Sequence, residues 1–255
     1  MRVDLNADVG ESFGAFSIGC DRGLMSSITS ASVAAGLHAG DPSVLRATIR
    51  LAAANGVAVG AHPGFPDLVG FGRREMRLSP GEVEDLVLYQ VAAVGGVAAA
   101  EGVRLQHVKP HGALYNMAAR DARLADAIVR AVVSFDAALV LFGPPESQLS
   151  RAGRAAGLRV AAEGFADRAY APDGSLAPRH MPGAVIDDSE TVVARAIRMV
   201  TEGTVTATDG SVLTMMVDTL CVHGDTPGAD HLAARPRRRL EAAHVTVAAP
   251  GRTAD

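Results

Sequence analysis

The chain has 255 residues, of which 48% are hydrophobic and 20% charged, with a formal net charge of −4 and a pI near 6.1. This length accommodates one large domain, and the charge balance argues against a nucleic-acid partner or an acidic membrane surface. We find no segment approaching the roughly 18 apolar residues of a membrane span, and the charged N-terminal segment does not predict a signal peptide. Cys20 and Cys221 lack metal-site spacing, so we expect free thiols and a cytoplasmic protein.

Short apolar segments alternate along the chain with longer segments of helical periodicity. The predicted strands span 2–7, 31–36, 57–61, 105–108, 138–142, 159–163 and 217–222. The predicted helices span 43–55, 80–102, 121–134, 147–157, 189–202 and 229–242. Residues 204–216, with Asp209-Gly210 at their centre, are typical of a hairpin inserted before the last strand. The alternation predicts parallel strands covered by outer helices.

Polar side chains follow nearly every predicted strand. They are Asp8 and Glu11, His38 and Asp41, His62, Lys109 and His111, Asp167 and Arg168, and His223 and Asp225. An open sheet gathers its ligands at one switch point, whereas a barrel collects them from all its strands onto one face. We therefore predict an α/β protein with a single-domain β/α barrel over residues 1–249, followed by a disordered tail at 250–255.

The first strand carries an unusual polar pattern. In DLNADVGE, residues 4–11, the side chains of Asp4, Asn6 and Asp8 alternate along an extended segment and so share one face. A strand buries three polar groups only where they serve each other or a ligand. The alternative is a strand that frays into a polar loop. Three successive strands end in a histidine, at His38, His62 and His111. This regular placement favours a ligand-binding site over a fraying strand.

Two kinds of chemistry suit these residues. Asp8, His38 and His62 could bind a divalent metal ion that activates water. Alternatively, the same groups could act without a metal as acid, base and electrophile around a carbonyl. Asp41 precedes a proline and therefore also fits a helix N-cap.

Lys109 is the only lysine among 24 cationic side chains. Arginine would supply charge equally well, but an ammonium is smaller, and its pKa can shift enough for it to serve as a proton donor, base or nucleophile. We therefore predict a catalytic role for Lys109. The polar segment 164–179 follows a strand and is typical of a lid or substrate loop. Neither a P-loop nor a dinucleotide-binding glycine motif is found.

Several separate motifs occur in a recognisable order between residues 4 and 227. They are DLNADVGES, GLHAGDP, GAHPGFPD with FGR, HVKPHGALYN, FADRAYAPDGSLAPR and CVHGDTP. Together they resemble the LamB/YcsF family. The chain departs from the family pattern at Ala35 and Leu37, where Cys and Phe are usual.

The resemblance implies a seven-stranded barrel similar to polysaccharide deacetylases and glycoside-acting enzymes. It also implies the A subunit of an ATP-dependent 5-oxoprolinase, which cleaves 5-oxo-L-proline to L-glutamate with ATP as co-substrate and B and C subunits as partners. A divalent metal and a homo-oligomer are left open. The alternatives are a metal-dependent amide or polysaccharide deacetylase and a non-catalytic substrate-binding subunit.

Under this interpretation the site residues divide into two groups. The expected catalytic residues are Asp8, His38, His62, Lys109 and His111. The expected substrate-binding residues are Asn6, Glu11, Asp41, Arg73, Asp167, Arg168, His223 and Asp225. We expect Arg73 to bind the substrate carboxylate through its bidentate fork. A surface pair with Glu75 is the structural alternative for this arginine.

Overall fold

A computed structural model describes residues 1–222 and 229–251 of the chain. Its strands are β1 (Arg2–Val9), β2 (Ser30–Ala34), β3 (Ala58–His62), β4 (Leu105–Val108), β5 (Val140–Gly143), β6 (Arg159–Phe165), β7 (Thr204–Thr206), β8 (Val212–Thr214), β9 (Thr219–Val222) and β10 (Thr246–Val247). The predicted tail lies outside the described residues from position 252 onward.

Within the described residues, seven parallel strands form a closed barrel. Strands β1 to β6 pair in sequence order, β9 pairs with β6, and β9 also pairs with β1, where Asp4 lies opposite Thr219. This confirms the predicted barrel. Strands β7 and β8 form the predicted hairpin outside it, and β10 adds two residues beside the start of β1.

Helices cover the outside of the barrel. They are α1 (Asp21–Leu24), α2 (Pro42–Ala54), α3 (Pro80–Ala100), α4 (Gly112–Ala118), α5 (Ala122–Asp136), α6 (Gln148–Ala155), α7 (Ser189–Thr201) and α8 (Ala229–Ala242). Ser79 and Glu82 form a capping box at the start of α3, and this local signal explains why the helix begins where the sequence predicts. The unpredicted elements α1, α4 and β10 are too short to show a periodicity.

Helix α3 corrects one expectation from the sequence. By length and composition alone, its 21 residues could cross a membrane. Of the 18-residue apolar segment that meets this criterion, 33% is buried inside the protein. The expectation overlooked that α3 carries no charged residue after Asp85. Val83, Val87 and Val91 lie on one face of α3 and pack into the hydrophobic core.

The two faces of β1 divide the interior into an apolar shell and a polar lumen. Leu5 and Ala7 point outward into the hydrophobic clusters between strands and helices. Asp4 and Asn6 point into the lumen, because the Asn6 side chain reaches Glu163 on β6, a strand that is not its neighbour. The predicted alternation is therefore confirmed, and it delivers polar groups to the centre of the barrel.

Candidate active site at the carboxyl ends of the strands

The barrel brings together the polar side chains that follow its strands. Asp8 lies near the end of β1, His62 ends β3, and Lys109 follows β4. The converging residues, all buried, are Asn6, Asp8, Glu11, His38, His62, Lys109 and His111. The structure brings them together because the carboxyl ends of parallel strands meet on one face of a barrel. Their catalytic roles remain predictions.

Lys109 lies at the centre of a buried ionic network. Its Nζ atom is 2.8 Å from Asp8 Oδ1 and 2.8 Å from Glu163 Oε1. It also donates to Asn6 Oδ1 and to Cys221 Sγ, both at 3.1 Å. Burial alone would lower the pKa of Lys109, but the nearby carboxylates outweigh it and raise this pKa well above its ordinary value. Lys109 therefore stays an ammonium, which favours a role as a compact cation over that of a neutral base or nucleophile.

Below this network, a layer of side chains fills the lumen with matched donors and acceptors. The Asp4 carboxylate accepts hydrogen bonds from Thr29 at 2.5 Å, from Ser30 at 2.8 Å and from Thr219 at 2.6 Å. The Asn6 amide donates to Glu163 Oε1 at 3.0 Å and to Thr219 Oγ1 at 2.7 Å. Burial, partly offset by these hydroxyl donors, raises the pKa of Asp4 to about 6.

His62 and His111 lie above the ionic network, and backbone carbonyls set their tautomers. His62 Nδ1 is 2.8 Å from the Lys109 carbonyl oxygen, and His111 Nε2 is 2.7 Å from the Phe71 carbonyl oxygen. A carbonyl only accepts, so each of these nitrogens carries the hydrogen. If both rings are neutral, the remaining nitrogens each carry a lone pair. These nitrogens, His62 Nε2 and His111 Nδ1, face each other at 2.9 Å.

His38 completes this arrangement without any hydrogen bond of its own. Its ring stacks on His111 with centroids 3.9 Å apart and an interplanar angle of 7°. The residue is 1% exposed, and neither ring nitrogen has a hydrogen-bond partner among residues 1–222 and 229–251. Burial, followed by the neighbouring His62, holds the pKa of His38 well below its ordinary value, so the ring is neutral.

Glu11 brings a carboxylate to the same three imidazoles. Its Oε1 atom is 3.9 Å from His111 Nδ1. One donor atom from each of Glu11, His38, His62 and His111 lies within 4.8 Å of all the others, so this buried group could hold a metal ion. The set differs from the predicted one: Asp8 approaches His62 Nε2 at 3.3 Å, but its other oxygen pairs with Lys109.

A cavity of about 400 Å³ opens above the network on the same face of the barrel. Its lining includes Asp8, His62, Arg73, Lys109, His111, Tyr115, Phe165, Arg168, Arg179 and His180. A larger cavity of about 570 Å³ lies at the opposite end of the strands, near Arg104 and Gly251. The buried ionic groups border only the first of these two cavities, which is therefore the candidate active site.

Three arginines converge on one side of the active-site cavity. Arg168 is buried and donates to the carbonyl oxygens of Ala177, at 2.7 Å, and of Ala184, at 3.2 Å, so it ties the following loop together. Burial and then the nearby Arg179 lower the pKa of Arg168 to about 10. Arg73 is exposed and lies 4.9 Å from the centre of the Phe71 ring. This cationic side of the cavity suits an anionic ligand.

The remaining predicted residues have mixed placements. The Asp41 carboxylate accepts from the backbone of Ser43 at 2.8 Å and of Gly14 at 2.8 Å, so it caps α2 and anchors the loop after β1. Asp167 is buried beside Arg168 at the end of β6. Glu75 forms a surface ion pair with Arg120 at 3.2 Å. His223 and Asp225 lie outside the described residues.

At least four residues that border the site were not predicted from the sequence. They are Tyr115, Glu163, Arg179 and Cys221. Glu163 did carry a signal, because an acidic residue between Ala162 and Gly164 in a strand must be paired once it is buried. Tyr115 carried none: it is buried beside the cavity, a placement that depends on the position of α4.

Comparisons with known proteins agree with this architecture. The model of the LamB/YcsF family matches residues 3–255. The 5-oxoprolinase A subunit of Symbiobacterium thermophilum is 57% identical over 98% of this chain and 96% of its own length. The protein of the same name from Bacillus subtilis is 52% identical over 98% and 97%. The crystal structure of a lactam utilization protein from Thermus thermophilus superposes with a TM-score of 0.92 at 53% identity, covering 98% of this chain and all of that one.

Proposed function

Because the chain belongs to the LamB/YcsF family, we propose that it acts in lactam utilisation as the A subunit of a 5-oxoprolinase. The reaction is cleavage of 5-oxo-L-proline to L-glutamate, coupled to ATP hydrolysis. One observation carries the proposal: the ionic network of Lys109, Asp8 and Glu163 lies directly beneath a cavity with an arginine-rich side. This combination suits a small anionic substrate whose uncharged amide must be activated.

ATP coupling fits the chemistry of the substrate. A five-membered lactam is a stabilised amide, and transfer of the γ-phosphoryl group to its carbonyl oxygen makes the ring carbon electrophilic. Water adds to that carbon, the ring nitrogen leaves with a proton, and the resulting acyl phosphate is hydrolysed by a second water to glutamate and phosphate. Positioned cations and a base for water are what this sequence requires of the protein.

Asp8 is the residue best placed to act as the base for water. It lies at the floor of the cavity, with one carboxylate oxygen 2.8 Å from Lys109 Nζ and the other 3.3 Å from His62 Nε2. The ion pair with Lys109 fixes the orientation of this carboxylate. The protonated Tyr115 hydroxyl, whose pKa is raised by burial, is placed to donate a hydrogen bond to a ligand in the cavity.

The arginines of the cavity are assigned to two different anionic groups. Arg73 is exposed and extends from the loop after β3, so it can reach the carboxylate of 5-oxoproline. Arg179 lies nearer to Arg168, deeper in the loop after β6, and it suits a phosphoryl group. We propose B and C subunits as partners of the chain, ATP as the co-substrate of the complex, and a cytoplasmic location.

The second candidate is a metal-dependent amide hydrolase that does not use ATP. The group of Glu11, His38, His62 and His111 favours this candidate, because three imidazoles and a carboxylate are typical ligands of a hydrolytic metal ion. A non-catalytic substrate-binding subunit suits the structure less well, because binding alone does not require a buried lysine between two carboxylates.

Coupled product release tests the proposal. We expect the chain, mixed with purified B and C subunits, to release ADP and glutamate in equal amounts from 5-oxoproline and ATP. Omission of any one of the three proteins should abolish the coupling. Glutamate release without ATP would support the metal-dependent hydrolase. Full activity of B and C without this chain would refute a catalytic role.

A further inference from the structure

Four side chains at the edge of the cavity form a group that we name the imidazole cluster: Glu11, His38, His62 and His111. All four are buried, and their nearest donor atoms lie within 4.8 Å of one another. We propose that the imidazole cluster binds one divalent transition-metal ion. The binding itself does not rest on the proposed function, whereas the use of the ion in ring opening does.

The hydrogen bonds around the cluster leave one nitrogen of His62 and one of His111 facing each other. The Lys109 carbonyl accepts a hydrogen bond from His62 Nδ1, and the Phe71 carbonyl accepts one from His111 Nε2. The inner nitrogens, His62 Nε2 and His111 Nδ1, then face each other at 2.9 Å, each with a lone pair if the rings are neutral. Where both rings are neutral, two lone pairs at this distance repel unless a proton or a metal ion bridges them. Histidines that bind metals almost always donate their second N–H to a carbonyl or carboxylate, as both rings do here.

His38 argues against the simplest alternative, a proton shared between His62 and His111. Such a proton would satisfy those two rings but would leave both nitrogens of His38 buried without a partner. An unpaired buried polar group costs roughly 1–3 kcal/mol, so its presence demands an explanation. A metal ion held by all three rings would occupy one of the two nitrogens of His38 as well as the inner nitrogens of His62 and His111.

The backbone is shaped to hold the rings in place. A Cβ atom at Gly64 would lie 2.6 Å from His38 Nδ1, and one at Gly72 would lie 2.8 Å from the His111 ring. Gly72 also has a φ of +63°, which favours glycine. Both glycines thus leave the space that the imidazoles occupy. This close fit indicates a built site, since any other residue at these positions would displace a ring.

The donor set selects the class of metal. Imidazole nitrogens suit zinc, cobalt, iron and nickel, whereas magnesium and calcium prefer oxygen ligands. In a tetrahedral site with bonds of ~2.1 Å, the donor atoms are separated by about 3.4 Å. Glu11 Oε1 is 3.9 Å from His111 Nδ1, so a small inward movement of the carboxylate completes the site. When bound, the ion would supply a Lewis acid at the cavity edge.

Metal binding by the isolated full-length chain tests the proposal without any activity assay. We expect the chelator-treated protein to take up one Zn²⁺ or Co²⁺ per chain and to ignore Mg²⁺. The Co²⁺ protein should show the intense visible absorption of a four-coordinate site. Calorimetry measures the affinity, and elemental analysis of the dialysed protein measures the stoichiometry.

Variants then locate the ion. His38→Gln should weaken binding at least 10-fold. Gly64→Ala, which leaves every ligand intact but displaces the His38 ring, should weaken it as well. Their matched controls are His107→Gln, at a buried histidine whose nitrogens contact Ser32 and Gln106, and Gly81→Ala, where an added Cβ meets nothing within 4 Å.

Three results would overturn the proposal: no stoichiometric Zn²⁺ or Co²⁺ binding by the wild-type chain, unchanged binding in folded His38→Gln protein, or equal loss in the controls. Circular dichroism establishes which variants are folded. If the ion binds but the reconstituted complex makes no glutamate, the site stands and the proposed function fails. If glutamate forms at wild-type rates in metal-free protein, the use of the ion in ring opening fails.

Discussion

Two polar layers lie one above the other inside the barrel, and they are built on opposite principles. In the lower layer, around Asp4 and Asn6, three hydroxyls and an amide meet carboxylate oxygens at 2.5–3.0 Å. In the upper layer, the imidazole cluster, two acceptor nitrogens of neutral rings face each other at 2.9 Å, and both nitrogens of His38 lack a partner in the part of the chain that the structure describes. Matched donors and acceptors stabilise the lower layer by themselves, whereas the upper layer is completed only by a ligand.

The same contrast separates two histidines of one motif. His107 and His111 flank Lys109 in sequence and are both buried. His107 stacks on Phe142 with centroids 4.3 Å apart, and its two nitrogens contact Ser32 and Gln106. His111 instead points a lone pair toward the cavity. Burial of a histidine therefore says little about function, whereas the balance of its hydrogen-bond donors and acceptors says a great deal.

The largest expected effect comes from Lys109, which joins the two layers. Lys109→Met leaves Asp8 and Glu163 buried without their cation, so we expect a loss of roughly 3–5 kcal/mol in the free energy of unfolding. Glutamate formation should fall by at least about 10²-fold, the typical loss when a positioned electrostatic group is removed. Lys109→Arg should fail nearly as badly in activity, because four acceptors already surround the site of the smaller ammonium.

Urea unfolding and the coupled ADP–glutamate assay measure the two effects of Lys109 separately. The double variant Lys109→Met/Glu163→Gln, which removes one buried charge of each sign, should be less destabilised than the sum of the single variants. An arginine variant with near-wild-type turnover would show that positive charge alone suffices.

The second effect is a pH dependence of stability that arises in the lower layer. The pKa of Asp4 is raised from 3.8 to about 6 in the folded chain, so folding favours its protonated form. The associated stability is fully present below pH 3.8 and is lost as the pH rises through 6. A shift of about two units corresponds to about 3 kcal/mol.

Asp4→Asn lacks this titration. The stability of Asp4→Asn relative to wild type should therefore rise between about pH 4 and about pH 6.5, as measured by urea unfolding at closely spaced pH values. A constant difference across that range would show that Asp4 titrates normally in the folded protein.

The smallest of these effects concerns Arg73, which lines the cavity, and is compared with its sequence neighbour Arg74. Arg73→Gln should weaken 5-oxoproline binding by roughly 10–100-fold, the value of a charged hydrogen bond, with little change in the thermal midpoint. Its control is Arg74→Gln, because the Arg74 side chain pairs with Asp67 within its own loop. Equal substrate affinity of wild type and Arg73→Gln, or equal losses in both variants, would contradict the role of Arg73.

Much of the fold was predictable because its determinants are local. The alternation of Asp4, Asn6 and Asp8 with apolar residues set the two faces of β1, and Ser79-Pro80 marked the start of α3. Polar residues after successive strands then predicted a barrel with one active face. Such patterns depend on neighbours in the chain, so a sequence displays them directly.

The motifs of the LamB/YcsF family also contained most of the site residues. They did not predict which of these residues contact one another. Glu163 and Tyr115 were missed. The predicted metal ligands were Asp8, His38 and His62, whereas the imidazole cluster contains Glu11 and His111 in place of Asp8. These assignments depend on groups that come from distant parts of the chain, such as the Phe71 carbonyl that orients His111.

The sequence by itself thus determined the strand order, the helix starts and the set of residues that reach the carboxyl end of the barrel. Only the tertiary structure decided which of them neutralise each other and which keep an unmatched lone pair. The physical reason is that the state of a buried polar group depends on the atoms within about 3 Å of it. In a closed barrel those atoms come from strands far apart in sequence, as where Asn6 meets Glu163 and Thr219.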